Sequence, residues 1–191
     1  MTDPRLQPVP PGSWPAEMRE ALAPLTPPTP RSADQPKAMN LLGTFARHPA
    51  LTKAYHQFVA HLLYGTTLTP RQRELLILRV AAVRGADYEW AQHIVLALDA
   101  GLDREEISAI RADSDRGRWE PTEAALLAAT DELVADARIS DETWSALTPA
   151  LSDRQLLDVV FTVGAYETLA MALRTFGVQM DDDLLPWADH P

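Results

Sequence analysis

Residues 68–102 read LTPRQRELLILRVAAVRGADYEWAQHIVLALDAGL. Thr69 stands where a helix N-cap belongs, Pro70 suits the first helical position, and Gln72 closes a capping box, so a helix begins here. It runs to about Val83 and is apolar nearly all round after Glu74, which predicts burial on most faces rather than one stripe turned from solvent. Gly85 supplies a tight turn, a second helix follows, and Gly101 stops it. Two long helices in succession, with no alternating strand pattern, set the fold class as all-α.

The same pattern extends outward from this pair. "KAMNLLGTFAR" ends ahead of His48-Pro49, and the next stretch puts Leu51, Ala54, Tyr55, Phe58, Val59, Leu62 and Leu63 at helical spacing, with Gly65 as its stop. Downstream, Asp103 with Glu106 opens a short helix, Pro121 leads "TEAALLAATDELVADA", and "SDETWSALTPAL" predicts a shorter one. Ser152 with Gln155 caps a last long helix that Gly177 ends. Eight or nine helices joined by short loops predict a compact multi-helix bundle.

Ten of the 16 prolines precede residue 37. Residues 1–36 therefore read as a Pro-rich N-terminal arm with one short helix, in which Trp14, Met18 and Leu22 recur at helical spacing and favour docking on a surface. Residues 37–180 form the helical domain, and 181–191 an acidic C-terminal tail. A chain of 191 residues can bury a core without staples.

Seventeen basic against 27 acidic residues give a net charge of −10. Without a basic run to follow phosphates, nucleic acid and anionic membrane are not expected as partners. The longest apolar run, "LLILRVAAV", is broken by Arg79 and too short for a bilayer, and the N-terminus lacks a signal-peptide layout, so a cytoplasmic protein is expected. There is no cysteine. Thiolate catalysis, disulfides, iron–sulfur clusters and cysteine-ligated zinc are thereby excluded.

Glu89 and His93, four residues apart, share one helical face and can address a single small molecule or each other. Glu74 lies in a nearly apolar helix. It meets a partner, a substrate or a cavity if buried, or leans toward the helix N-terminus if exposed. Arg79 reads as a structural salt-bridge partner. A zinc site of Glu74, Glu89 and His93 is conceivable, but His48, His56 and His61 show no ligand spacing with it. Tyr88 could donate its hydroxyl to a bound carbonyl or a water, whereas Trp90 reads as core packing.

The run from Leu68 to Ile107 resembles the signature of the carboxymuconolactone decarboxylase and alkyl hydroperoxidase D-like superfamily. The likeness reaches back through "NLLGTFARHPAL" and forward to "VGAYETLAMALRTFGV", covering most of residues 39–178. It implies an all-α bundle assembled as trimers or hexamers around a pocket near a subunit interface. In the peroxidase branch, a glutamate, a Cys-x-x-Cys and a histidine four residues on form a proton relay. Glu74 takes the glutamate's place and His93 the histidine's, while the cysteine positions fall on Ala86 and Glu89. Without a thiolate the resemblance transfers fold and pocket, not peroxidase activity. The decarboxylase branch needs no cysteine and keeps a histidine at the place of His93.

These residues point first to a cofactor-independent acid–base enzyme, of the decarboxylase or isomerase type, acting on a small oxygenated organic acid or lactone. His93 would be the principal acid/base, Glu89 its partner or a second acid/base, Glu74 the group that orients His93, and Tyr88 an auxiliary donor. Two other readings stand beside it: a non-catalytic binding or assembly protein that kept the fold, and a metal-dependent enzyme using Glu74, Glu89 and His93.

Overall fold

A computed structural model describes residues 3–26, 37–112 and 116–188. The proline-rich run at 27–36 and the end of the acidic tail, 189–191, lie outside the described residues. Ten α-helices and no strand occur among the described residues: α1 (Met18–Leu22), α2 (Met39–Phe45), α3 (Pro49–Ala60), α4 (Pro70–Arg84), α5 (Asp87–Asp99), α6 (Arg104–Ala112), α7 (Pro121–Asp136), α8 (Asp141–Leu147), α9 (Asp153–Phe176) and α10 (Leu185–Ala188).

The apolar circumference of α4 has the consequence expected of it. Every residue from Glu74 to Ala81 is buried, because α5, α6, α7 and α9 pack around this one helix. Leu76, Ile77 and Val80 face a core shared with α7, α8 and α9, while Leu75, Leu78 and Ala81 face another shared with α5 and α6. The capping pairs are formed, by Thr69 with Gln72, by Asp103 with Glu106 and by Ser152 with Gln155. Gly85 ends α4 at φ 58°, the left-handed backbone that glycine adopts without a Cβ clash.

Two arginines near opposite ends of α4 fasten it to the same two neighbours. Arg71 donates to Glu106 at the start of α6 (2.6 Å) and to Glu123 at the start of α7 (2.6 Å). Arg79 forks onto Asp131 of α7 (2.6 and 3.0 Å) and donates to the Ile110 carbonyl of α6 (2.8 Å). Arg79 is thus the structural ion-pair partner that its sequence context suggested. Trp90 is buried in the core, with the Arg111 guanidinium 5.1 Å from its ring centre.

The third helix departs from expectation. Gly65 was expected to stop a continuous α-helix, but α3 ends at Ala60 and the chain widens into a π-turn, His61–Gly65. Just past it the chain is pinned by Asp158 on α9, whose Oδ2 accepts from Thr67 N (2.6 Å), Thr67 Oγ1 (2.7 Å) and Thr66 Oγ1 (3.1 Å). His61 Nε2 lies 3.2 Å from its other oxygen. A π-turn admits one extra residue per turn and recurs at functional sites.

The arm lies on its own chain. Arg5 N donates to the Phe176 carbonyl at the end of α9, Val9 N to Gly43 O (2.9 Å), and Arg47 to Gln7 O. A Cβ at Gly43 would come 2.7 Å from Val9 O, so this approach requires glycine. Met18 and Ala21 bury against Ala46. At the other end of the chain, Asp181 accepts from Asn40 N (2.9 Å) and Leu184 is fully buried beside α2 and α5. Helix α9, 24 residues long, is long and apolar enough to cross a membrane by length and composition, unlike the shorter run quoted from α4. Over half of its most apolar window is buried inside the bundle, as in a core helix.

Candidate active site

Helices α4 and α5 bring Glu74 and His93 together. Glu74 Oε2 lies 2.7 Å from His93 Nδ1, with the glutamate fully buried and the imidazole 5% exposed. Glu74 Oε1 accepts from Arg73 Nε (3.0 Å). Burial opposes ionisation of Glu74, but the His93 ring and the Arg73 guanidinium outweigh it and hold its pKa below the usual carboxylate range. An ionised carboxylate only accepts, so the proton of this bond sits on Nδ1 and leaves Nε2 as the ring's remaining functional nitrogen.

Glu89 is 1% exposed, and neither of its oxygens has a partner. Burial, seconded by the negative charge of Glu167, pushes its pKa well above the ordinary value. Glu89 is therefore biased strongly to the neutral acid, one helical turn before a histidine whose Nδ1 faces the Glu74 carboxylate.

Two tyrosines complete the surroundings. Tyr166 of α9 meets His93 edge-on, with ring centres 5.0 Å apart. Its own burial, then the charges of Glu74 and Glu89, raises its pKa far above that of free phenol. Burial and the charge of Glu89 likewise raise Tyr55, whose hydroxyl donates to Ala165 O (3.0 Å). Glu167, next to Tyr166, pairs with Arg84.

Glu74, Glu89 and His93 are thus brought to one buried locality, and Tyr88 is not. Its hydroxyl donates to Asp181 Oδ2 (2.6 Å) and its ring packs with Leu41, Leu173 and Leu184. One residue before Glu89 means roughly 100° round the helix, enough to turn it to another neighbour. Of the two roles expected for Glu89, partner of His93 or second acid/base, the hydrogen bond to His93 is made by Glu74 instead. The metal reading loses its geometry: Glu74 spends Oε2 on His93 and Oε1 on Arg73, and no group of three metal-ligating side chains occurs among the described residues. Sequence reading passed over Arg73, Tyr55 and Tyr166. Tyr166-Glu167, a polar pair inside a long apolar helix, was the available signal.

The description "carboxymuconolactone decarboxylase family" fits residues 49–132, which hold Glu74, Glu89 and His93. The fold is shared with an alkylhydroperoxidase AhpD-core, peroxidase-related protein from Ralstonia eutropha JMP134 (18% identity, all of both chains, TM-score 0.75). A putative AhpD antioxidant-defence protein from Agrobacterium tumefaciens is also similar (20% identity, 72% of this chain and 94% of that one, TM-score 0.67). So is a cysteine-to-alanine variant of the debrominase Bmp8, solved with 2,3,4-tribromopyrrole (15% identity, 96% and 95%, TM-score 0.71). No curated protein matches the sequence. The central segment thus matches the carboxymuconolactone decarboxylase family, the described bundle has the fold of the AhpD-like proteins, and the chain carries no cysteine.

Proposed function

We propose that the chain belongs to the carboxymuconolactone decarboxylase and AhpD-like superfamily and is an acid–base enzyme that moves a proton on a small oxygenated organic acid or lactone, with carbon dioxide loss or double-bond migration as the outcome. The observation that carries the reading is Glu89: a buried carboxyl with two unpartnered oxygens, one turn from a histidine held by an ionised carboxylate. A site that keeps one carboxylic acid protonated and another ionised has separated its acid from its base. In this reading Glu89 donates a proton to the substrate oxygen where negative charge develops. His93 takes a proton through Nε2, and Glu74 stabilises the imidazolium that results. Tyr166 walls the ring. The similar debrominase fold with a bound tribromopyrrole makes a small ring compound a reasonable occupant, and Bmp8's substrate is not assigned to this chain.

The test is proton exchange. Unsaturated lactones and their carboxylated counterparts, incubated with the protein in D₂O, are followed by NMR for deuterium uptake or carbon dioxide release. His93→Gln keeps a donor toward Glu74 and should preserve the fold, while turnover of an active compound falls by about 10²–10⁴-fold. Native turnover in that variant overturns the reading.

A further inference from the structure

We propose that Arg73 is a positioning residue for His93, acting through Glu74 and anchored by the π-turn at the end of α3. Resting on the acid–base reading above, it names what holds the base in place. Neighbouring residues on a helix do not face each other, yet Arg73 Nε reaches Glu74 Oε1 at 3.0 Å. Its guanidinium is bent back and held there by a second bond, from Nη1 to the Leu63 carbonyl at 2.9 Å.

That carbonyl is available for a reason. Four and five residues on, the backbone donors that could have taken it are Thr67 N and Leu68 N. Thr67 N goes to Asp158 Oδ2 and Leu68 N to Thr66 Oγ1. Asp158 and the Thr66 hydroxyl thus occupy the donors that follow the π-turn, and Leu63 O is left for Arg73. A continuous series of contacts then runs from Asp158 through the π-turn to Arg73, Glu74 and His93 Nδ1. Arginine suits the post because its planar fork meets two acceptors at fixed geometry, whereas a lysine ammonium is a single flexible point.

The consequence is read on the imidazole without any substrate. Free histidine prefers the Nε2–H tautomer, and the bond to Glu74 selects Nδ1–H. In ¹⁵N spectra of the whole protein at alkaline pH, the native neutral ring should be mainly Nδ1–H. Arg73→Met releases Glu74 Oε1 and lets the carboxylate turn away from Nδ1, which should raise the ratio of Nε2–H to Nδ1–H about fivefold. Arg73→Lys should lie between the two, and it carries the test if the methionine variant does not fold. Asp158→Asn, distant in sequence from the pair, should shift the ratio the same way by less. A native spectrum in both Arg73 variants overturns the proposal; a native spectrum in Asp158→Asn alone overturns the anchoring by the π-turn. A tautomer shift beside undiminished turnover in His93→Gln would instead defeat the acid–base reading and leave the coupling intact.

Discussion

Glu89 binds its proton more tightly in the folded chain than in the unfolded one, and the direction of that difference fixes a measurable slope. Above the unfolded carboxylate pKa of about 4.3 the unfolded chain loses the proton while the folded chain keeps it. Stability therefore falls as pH rises through this window, until the folded-state pKa is passed. Glu89→Gln removes the titration, so the variant should gain on the native protein steadily from pH 5 toward pH 9 in urea unfolding; a constant difference would show Glu89 ionised in the fold. Glu74 has the opposite sign, its contribution being present above the unfolded pKa and lost as acid takes pH down through its lowered folded value. The sequence made this trio legible as a locality, because helical spacing and an apolar setting gather Glu74, Glu89 and His93. It did not tell which carboxylate touches the imidazole. Spacing of four puts two side chains on one face but leaves their rotamers open, and the contact at 2.7 Å crosses between helices.

Helix ends were the most readable elements, since a cap is local chemistry. Thr69, Ser152, Gly85 and Gly177 each sit at the terminus their residue types imply. The π-turn was unreadable for the converse reason: Asp158, which pins the chain just beyond it, lies over ninety residues from Thr67. Two termini are left imperfect, the start of α2, where Ala38 has φ 55°, and the end of α7. Ala137 closes α7 at φ 56°, in the left-handed region, where an L residue other than glycine is strained. Ala137→Gly should stabilise the protein by about 0.5–1 kcal/mol after the entropic cost of glycine in the unfolded chain. Equilibrium denaturation measures it, and a loss of stability would mean that the Ala137 methyl contributes packing. In the arm, Gly43→Ala should push Val9 away and expose residues 5–25 to limited proteolysis while α4 to α9 stay protected.

On the molecular surface, α3 and α9 together present Leu51, Phe58, Leu157, Val160, Phe161 and Met171 to solvent, with Phe58 and Phe161 in edge-to-face contact at 6.0 Å. Monomers seldom leave such a face uncovered, and we expect a second copy of the chain to cover it within a trimer or hexamer. Light scattering should give a multiple of three times 21.1 kDa. Phe161→Asp should dissociate the assembly, and a native protein that is monomeric at micromolar concentration would remove the expectation. Inside the molecule, the two arginines of α4 carry a different consequence. Because Arg71 and Arg79 each hold both α6 and α7, neither neighbour can separate from α4 without exposing two cations at once. Amide protons of these three helices should then exchange with solvent through one shared opening, with nearly equal protection free energies. The arm and α10, which lie outside this arginine-pinned trio, should exchange earlier. Loss of either arginine should split that common opening, with α6, the shortest of the three, released first.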